Sequence, residues 1–474
     1  MTGGQHEGSV SVKGTSRNRA HHRRLHKWAG GAVVAAITAA LIATSVPAAS
    51  GAASVTLVRD IYPTSGFSPV ELLTQVGDTL FFSAMDDRHG MELWKSDGTV
   101  EGTVLVKDIR PGPEASNLNY FTNVRGTLFL AAGDGIHHRE LWKSDGTAEG
   151  TVLVEDINPD GGVTFRSGAI GIGRTLYFVI NDKRHGRELW KSDGTAEGTK
   201  LVTDISLTGD ADPFGLVNVG GTLYFGARGG AQGAALWRSD GTRRGTVMVR
   251  DVAPINLTNV NDTLFFSGND GQDGGLGAGN YELWKSDGTT DGTVLVKDIN
   301  PSIGSVPHHL TNVMGTLYFT ANAGDGLKTL WKSDGTSAGT MLVADTDGFP
   351  SSLTNVGGTL FFTNYDSTRG NELWKSDGTA AGTVQVTEIN PTKAGGPVGP
   401  SFTVVNGALY FSANDGIHGL ELWTSDGTAE GTRLVADINP VGDSAPWNLT
   451  RVGGTLFFTA DDGTNGSALW KATG

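Results

Sequence analysis

The sequence predicts an all-β fold, a single closed β-propeller of nine four-stranded blades in which an N-terminal strand completes the last blade. Three observations predict it: a repeat of about 47 residues, four strand-like segments inside each repeat, and a phase offset between the two ends of the array.

The repeat is marked by Leu-Trp, with tryptophans at Trp94, Trp142, Trp190, Trp237, Trp284, Trp331, Trp374, Trp423 and Trp470. Successive spacings are 48, 48, 47, 47, 47, 43, 49 and 47 residues, and a period of this length belongs to propellers and related arrays. A chain of 474 residues exceeds an ordinary single core, whereas a repeat array buries each unit only against its neighbours.

Within the unit around Trp374, the first strand reads Ser352-Leu353-Thr354-Asn355-Val356, and Gly357-Gly358 turn the chain into Thr359 to Thr363. A polar loop leads to Glu372-Leu373-Trp374-Lys375, and Ser376-Asp377-Gly378-Thr379 turns it again into Thr383 to Ile389. β-branched and aromatic residues bounded by Gly, Asp and Asn read as strands. No helical periodicity interrupts them.

The phase offset argues for closure. Ser54-Val55-Thr56-Leu57-Val58-Arg59-Asp60-Ile61 matches only the fourth strand of a unit, while the last unit stops after its third strand at Trp470-Lys471. An open array gains nothing from that offset. A ring gains a locked seam with no unpaired end. The same offset places first strands at the central channel.

Composition narrows the function classes. The 70 glycines fit a turn-rich β protein, and the absence of cysteine excludes disulfides, thiol catalysis and zinc-thiolate sites. The formal charge is −14, and because residues 1–50 carry six Lys/Arg and one acid, 30 basic and 49 acidic side chains remain beyond them. So acidic a surface repels phosphate backbones, which excludes nucleic acid as the partner.

Residues 1–52 read as a signal peptide. Arg17, Arg19, Arg23, Arg24 and Lys27 precede an apolar run from Ala29 to Val46, and small residues follow, with cleavage expected after Ala48 or Ala52. The run is rich in Ala and Gly and no basic cluster follows it, so no stable membrane span is expected after processing. The expectation is a bacterial protein, secreted or associated with the cell surface, with a propeller over 53–474.

The segments Glu92-Leu93-Trp94-Lys95-Ser96-Asp97-Gly98-Thr99 and Glu140-Leu141-Trp142-Lys143-Ser144-Asp145-Gly146-Thr147 resemble the ELWxxDGT repeat family of bacterial secreted proteins. The resemblance covers 54–474 and implies a secreted repeat protein, with no established activity attached to it. The units around Trp237, Trp331 and Trp470 replace the motif's Glu with Ala235, Thr329 and Ala468, and the last lacks the Asp-Gly turn.

Leu and Trp of the motif alternate and so face opposite sides of a blade, as wedges between sheets. The turn acids Asp97, Asp145, Asp193, Asp240, Asp287, Asp334, Asp377 and Asp426 are read as turn formers, and they are the candidate ligands if calcium is a cofactor, at one carboxylate per turn. Four loops between second and third strands place His89, His137, His185 and His418 three residues before the motif's Glu. The Asp opening each of these loops is read as a turn former rather than as the partner of the His. Those loops share one face with the variable connections between units, which include His308 and His309. These six histidines are the candidate binding face, because variable loops on a constant scaffold carry recognition.

No residue constellation for catalysis stands out. The expected function is a monomeric, secreted scaffold for extracellular binding or adhesion, its partner a surface polysaccharide or another protein. Two alternatives stay open: a carbohydrate-active enzyme, glycosidase- or lyase-like, with its site at the channel mouth, and a purely structural envelope component.

Overall fold

Each repeat folds into four antiparallel strands because its apolar runs keep the strand period and are separated by residues that turn the chain. The computed structural model describes residues 54–474 except 63–68, 207–208, 231–232, 272–279, 325, 327, 369 and 392–395. The export segment expected over 1–52 lies outside the described residues. Among the described residues there is no helix, and so none long and apolar enough to cross a membrane.

The first strand in the chain is β1 (Ser54–Arg59). Next come β2 (Val70–Val76), β3 (Thr79–Asp86), β4 (Gly90–Ser96) and β5 (Val104–Lys107), which pair in that order as blade 1. Seven further sheets repeat the order, and the ninth joins β1 to Ser467–Thr473, Thr455–Asp461 and Trp447–Val452. The seam sets Ser54 opposite Thr473 and Leu57 opposite Trp470. Each blade's first strand touches the first strands of both neighbours all the way round, so first strands line the channel and fourth strands lie outermost. The nine blades and the completing strand stand as the sequence predicts them.

Nine apolar clusters fill the nine interfaces between blades. Leu93 packs toward blade 2 with Leu128 and Trp142, whereas Trp94 packs toward the seam with Val58, Val452 and Phe457. Burying each such Trp contributes roughly 2–3 kcal/mol.

The Ser-Asp-Gly-Thr-x-x-Gly-Thr segment is an interlocked turn, and each of its residues has a task. Ser96 Oγ lies 2.7 Å from Thr103 Oγ1 and accepts the N–H of Gly98, whose φ of 89° suits glycine. Asp97 Oδ1 accepts both the N–H and the hydroxyl of Thr99, at 2.8 and 2.7 Å. The second glycine leaves room for that carboxylate, because a Cβ at Gly102 or at its seven counterparts would collide with the turn's own Asp. Replacing Gly150 with Ala is therefore expected to destabilise the ring by about 1–3 kcal/mol, with part recovered when Asp145 is also truncated to Ala. Chemical denaturation of the two single variants and the double variant checks this.

Blades are tied forward by cations. Lys95 Nζ donates to Gly146 O at 2.8 Å, Lys143 to Gly194 O at 2.7 Å, and Lys471 reaches Gly98 O across the seam at 2.7 Å. Blade 8 carries Thr424 at this position, and the blade that follows it has no Asp-Gly turn to reach. Fourth-strand cations add a second tie: Lys107 Nζ donates to Thr151 O at 2.7 Å and lies over the ring of Trp142. Arg59 of β1 does the same to Thr103 O, at 2.6 Å, and to Trp94.

Candidate functional site

The two ends of the ring differ because the turns at one end are uniform and the connections at the other are not. The motif's Glu organises the variable end. Its carboxylate is buried and accepts backbone N–H groups from the segment that leads to the next blade. Glu92 Oε2 takes Ile109 N at 3.0 Å, Glu140 takes Ile157 N and Asn158 N, and Glu282 takes Ile299 N, Asn300 N and Ser305 N. Between the strands Val247–Arg250 and Ala253–Val260, and between Met341–Ala344 and Phe349–Val356, the connection is only 251–252 and 345–348. Those are the blades with Ala235 and Thr329 in place of Glu. A short connection leaves few orphan N–H groups to satisfy, so no acceptor is needed there. Burial pushes the carboxyls of Glu92, Glu140, Glu188 and Glu372 up to about 7, against the N–H donors that favour the charged form.

The four loop histidines take one conformation. Nδ1 of His89, His137, His185 and His418 meets Asp86, Asp134, Asp182 and Asp415 at 2.8, 2.8, 2.6 and 2.7 Å. Each Asp also accepts the N–H groups two and three residues on, as with Ile136 and His137 at Asp134. The Asp is thus both turn former and partner of the His, which corrects the reading of it as a turn former only. In blade 9 Asn465 Nδ2 takes the place of the ring N–H, donating to Asp462 at 2.6 Å. The hydrogen bond that His137 donates to Asp134 holds the imidazole above the ordinary histidine value, and the bond to Asp415 does the same for His418. These four histidines run through blades 8, 1, 2 and 3 as loop ties, each on its own blade.

His308 and His309 lie elsewhere, on the channel wall. Every first strand is bulged near its variable end, and the extra residue takes a left-handed conformation in Leu72, Tyr120, Gly168, Gly215, Asn256, His309, Ser352 and Asn448, with φ between 54° and 79°. Six of these are not glycine, at a cost of about 1–2 kcal/mol each. The last paired residue before the break is different in all nine blades: Glu71, Asn119, Arg166, Phe214, Ile255, His308, Ser351, Val398 and Trp447. Opposite them stand only small or aliphatic residues. Trp447 is 53% exposed, a large value for an aromatic on an inner strand. Bulge side chains reach the next blade: Tyr120 Oη donates to Phe165 O at 2.9 Å, and Asn256 Nδ2 donates to Pro307 O at 3.0 Å beside His308. Desolvation holds His308 below the ordinary histidine value.

The structure thus gathers none of the six candidate histidines into one cluster apart from the adjacent pair. The eight turn carboxylates lie at the uniform end, one per turn, with Thr as partner. Among the described residues no three His, Asp or Glu side chains converge as a metal would require. Sequence reasoning missed the bulge ring. The signal was available in the first strands, five of which close on Asn-Val while the residues a few places earlier differ from unit to unit.

No protein-family model matches the chain, and no curated protein matches it. Among solved structures it is similar to puromycin hydrolase, at 14% identity over 76% of this chain and 60% of that one, with a TM-score of 0.37. A prolyl endopeptidase matches at 10% identity over 73% and 54%, with a TM-score of 0.43. The β-propeller domain of the Trilobed protease from Pyrococcus furiosus matches at 11% identity over 68% and 98%, with a TM-score of 0.37. The chain therefore spans about 60% of the length of puromycin hydrolase, and at these identities the likeness is one of fold. The proteins that it resembles in fold are named as peptidases and a protease, which departs from the expectation of an adhesion or polysaccharide-binding scaffold.

Proposed function

We propose that the chain is a peptide-handling propeller that docks an extended polypeptide segment at the variable mouth of its channel. The carrying observation is the ring of bulges. Elsewhere the blades repeat one another closely, yet at this register nine different residues follow one another round the wall, and six left-handed non-glycine residues carry strain there. Strain of this kind persists where the surrounding structure holds a residue for use. The inner edge of each first strand presents backbone groups with no further strand to pair them, which suits an extended chain. His308, Phe214 and exposed Trp447 add aromatic surface beside that edge. The activity named for the matched proteins is that of peptidases, and peptides are proposed as the substrate class here on the geometry of the wall.

Fluorescence anisotropy of an N-terminally labelled, proline-containing hexapeptide tests the reading. Saturable binding is expected, and Trp447→Ala should weaken it about tenfold or more, the loss typical of a central aromatic anchor. Binding that survives Trp447→Ala and His308→Ala unchanged would remove the channel mouth as the docking site.

A further inference from the structure

A cleft of about 480 Å³ opens on the variable face of blade 2, lined among others by Arg110, Asn117, Ile136, His138, Arg139 and Val163. It contains a cation without a counterion among the described residues. Arg110 is met by Glu114, but among the described residues the guanidinium of Arg139 makes no ion pair, and its buried Nε has no hydrogen-bond partner. An unpaired buried donor on a charged group is costly, and in so acidic a chain a carboxylate would be easy to supply.

The repeat provides its own comparison. Arg187 occupies the same register in blade 3, one residue before the motif's Glu. There the guanidinium is met by Asp210 at 2.7 Å and by Asp212, both from the connection to the next blade. That connection is anchored at the same place in the two blades: Arg187 O accepts Ala211 N and Asp212 N, and Arg139 O accepts Val163 N, the equivalent of Ala211 N. Where blade 3 carries Asp210 and Asp212, however, blade 2 carries Gly162 and Thr164. Blade 2 has kept the arginine, lost the acids and opened a cleft in their place.

We propose that Arg139 binds a carboxylate from outside the chain, and that this carboxylate is the free carboxyl end of a docked peptide. The carboxylate chemistry is the one the fold already uses at Arg187, where planar guanidinium and carboxylate match in two parallel bonds. Ile136, exposed at the edge of the cleft, gives the last side chain an apolar neighbour. The assignment to a peptide rests on the function proposed above, and the experiment separates the two.

The probes are one labelled hexapeptide with a free carboxyl end, the same peptide amidated, and the amidated peptide carrying an internal aspartate. Anisotropy titration against the wild-type ring is expected to show amidation weakening binding about tenfold to a hundredfold, the loss of a hydrogen-bonded charge. Arg139→Gln should bind free and amidated peptides equally, and Arg139→Lys should restore part of the preference. Melting curves establish that both variants fold, as expected for a side chain with no ion pair among the described residues. Equal binding of free and amidated peptide to the wild type, with Trp447→Ala still weakening both, overturns the carboxylate site and leaves the peptide reading standing. A preference for the free end that survives Arg139→Gln overturns it as well. Rescue of the amidated peptide by its internal aspartate would refute the terminal assignment, and no binding of any probe would refute both readings.

Discussion

Deleting residues 54–61 is expected to abolish the cooperative fold of the ring or to lower its melting temperature by more than about 10 °C. The reason is local. β1 carries the whole seam: it pairs with Ser467–Thr473, buries Val58 and Ile61 between blades 9 and 1, and holds Arg59 over Trp94 with a hydrogen bond to Thr103 O. The two buried aliphatic side chains alone contribute about 3–6 kcal/mol, a large share of the roughly 5–15 kcal/mol that holds a typical domain folded. Their loss also leaves Ser467–Thr473 as a bare edge, a template for pairing between molecules. Circular dichroism melts and size-exclusion chromatography of the truncated chain check this, with a synthetic peptide of 54–61 added in trans expected to restore part of the loss. A truncated ring that melts at the wild-type temperature would show that the seam is not what holds the circle shut.

The ring should also lose stability as pH rises from about 5 to 8. Glu92, Glu140, Glu188 and Glu372 are pushed up to about 7 from a usual 4.5, first by burial, and further by Asp108, Asp156, Asp204, and Glu388 with Asp366, respectively. The sign follows from proton counts. Between 4.5 and 7 the folded chain holds protons on these groups that the unfolded chain has released, so raising pH through that window favours unfolding. Below about 4 the slope reverses. Asp97 and its counterparts, held low chiefly by their Thr hydroxyls, give stability that disappears as they protonate. The melting temperature is expected to be ~5–10 °C higher at pH 5.5 than at pH 8. Glu92→Gln should raise the pH 8 value and flatten the profile, because the amide keeps an acceptor for Ile109 N without a buried charge. Identical melting at both pH values would mean that these carboxylates ionise as freely as in water.

Much of this molecule is legible in its sequence because a repeat states the same local rule many times. The Asp-Gly turn, the Leu-Trp wedge and the offset of β1 each follow from residue type and spacing. What stayed hidden depends on partners distant in sequence. The motif's Glu looks like an ordinary strand residue until the connection that it satisfies, 17 residues on at Ile109, folds back over it. The acids after the fourth strands lie one residue beyond those strands and cap the next turn, as Asp60 does for Tyr62 N and Asp108 for Gly112 N. Arg139 is invisible for a different reason. Its meaning is the absence of the acids that accompany Arg187, and only superposed blades reveal that difference.

The forward ties between blades carry a consequence for ring size. Lys95, Lys143 and Lys471 each grip the turn of the following blade, and none reaches a second neighbour. A contact that joins head to tail in this way does not count. It would serve a ring of eight or ten members equally well, closing whenever the rotation per member sums to a full circle. The number nine is therefore held by curvature, in the bulk of Phe82, Trp94 and their equivalents that sets how far each sheet is swung from the last. Changes in those side chains, rather than in the charged ties, are the route by which such a molecule would gain or lose a member.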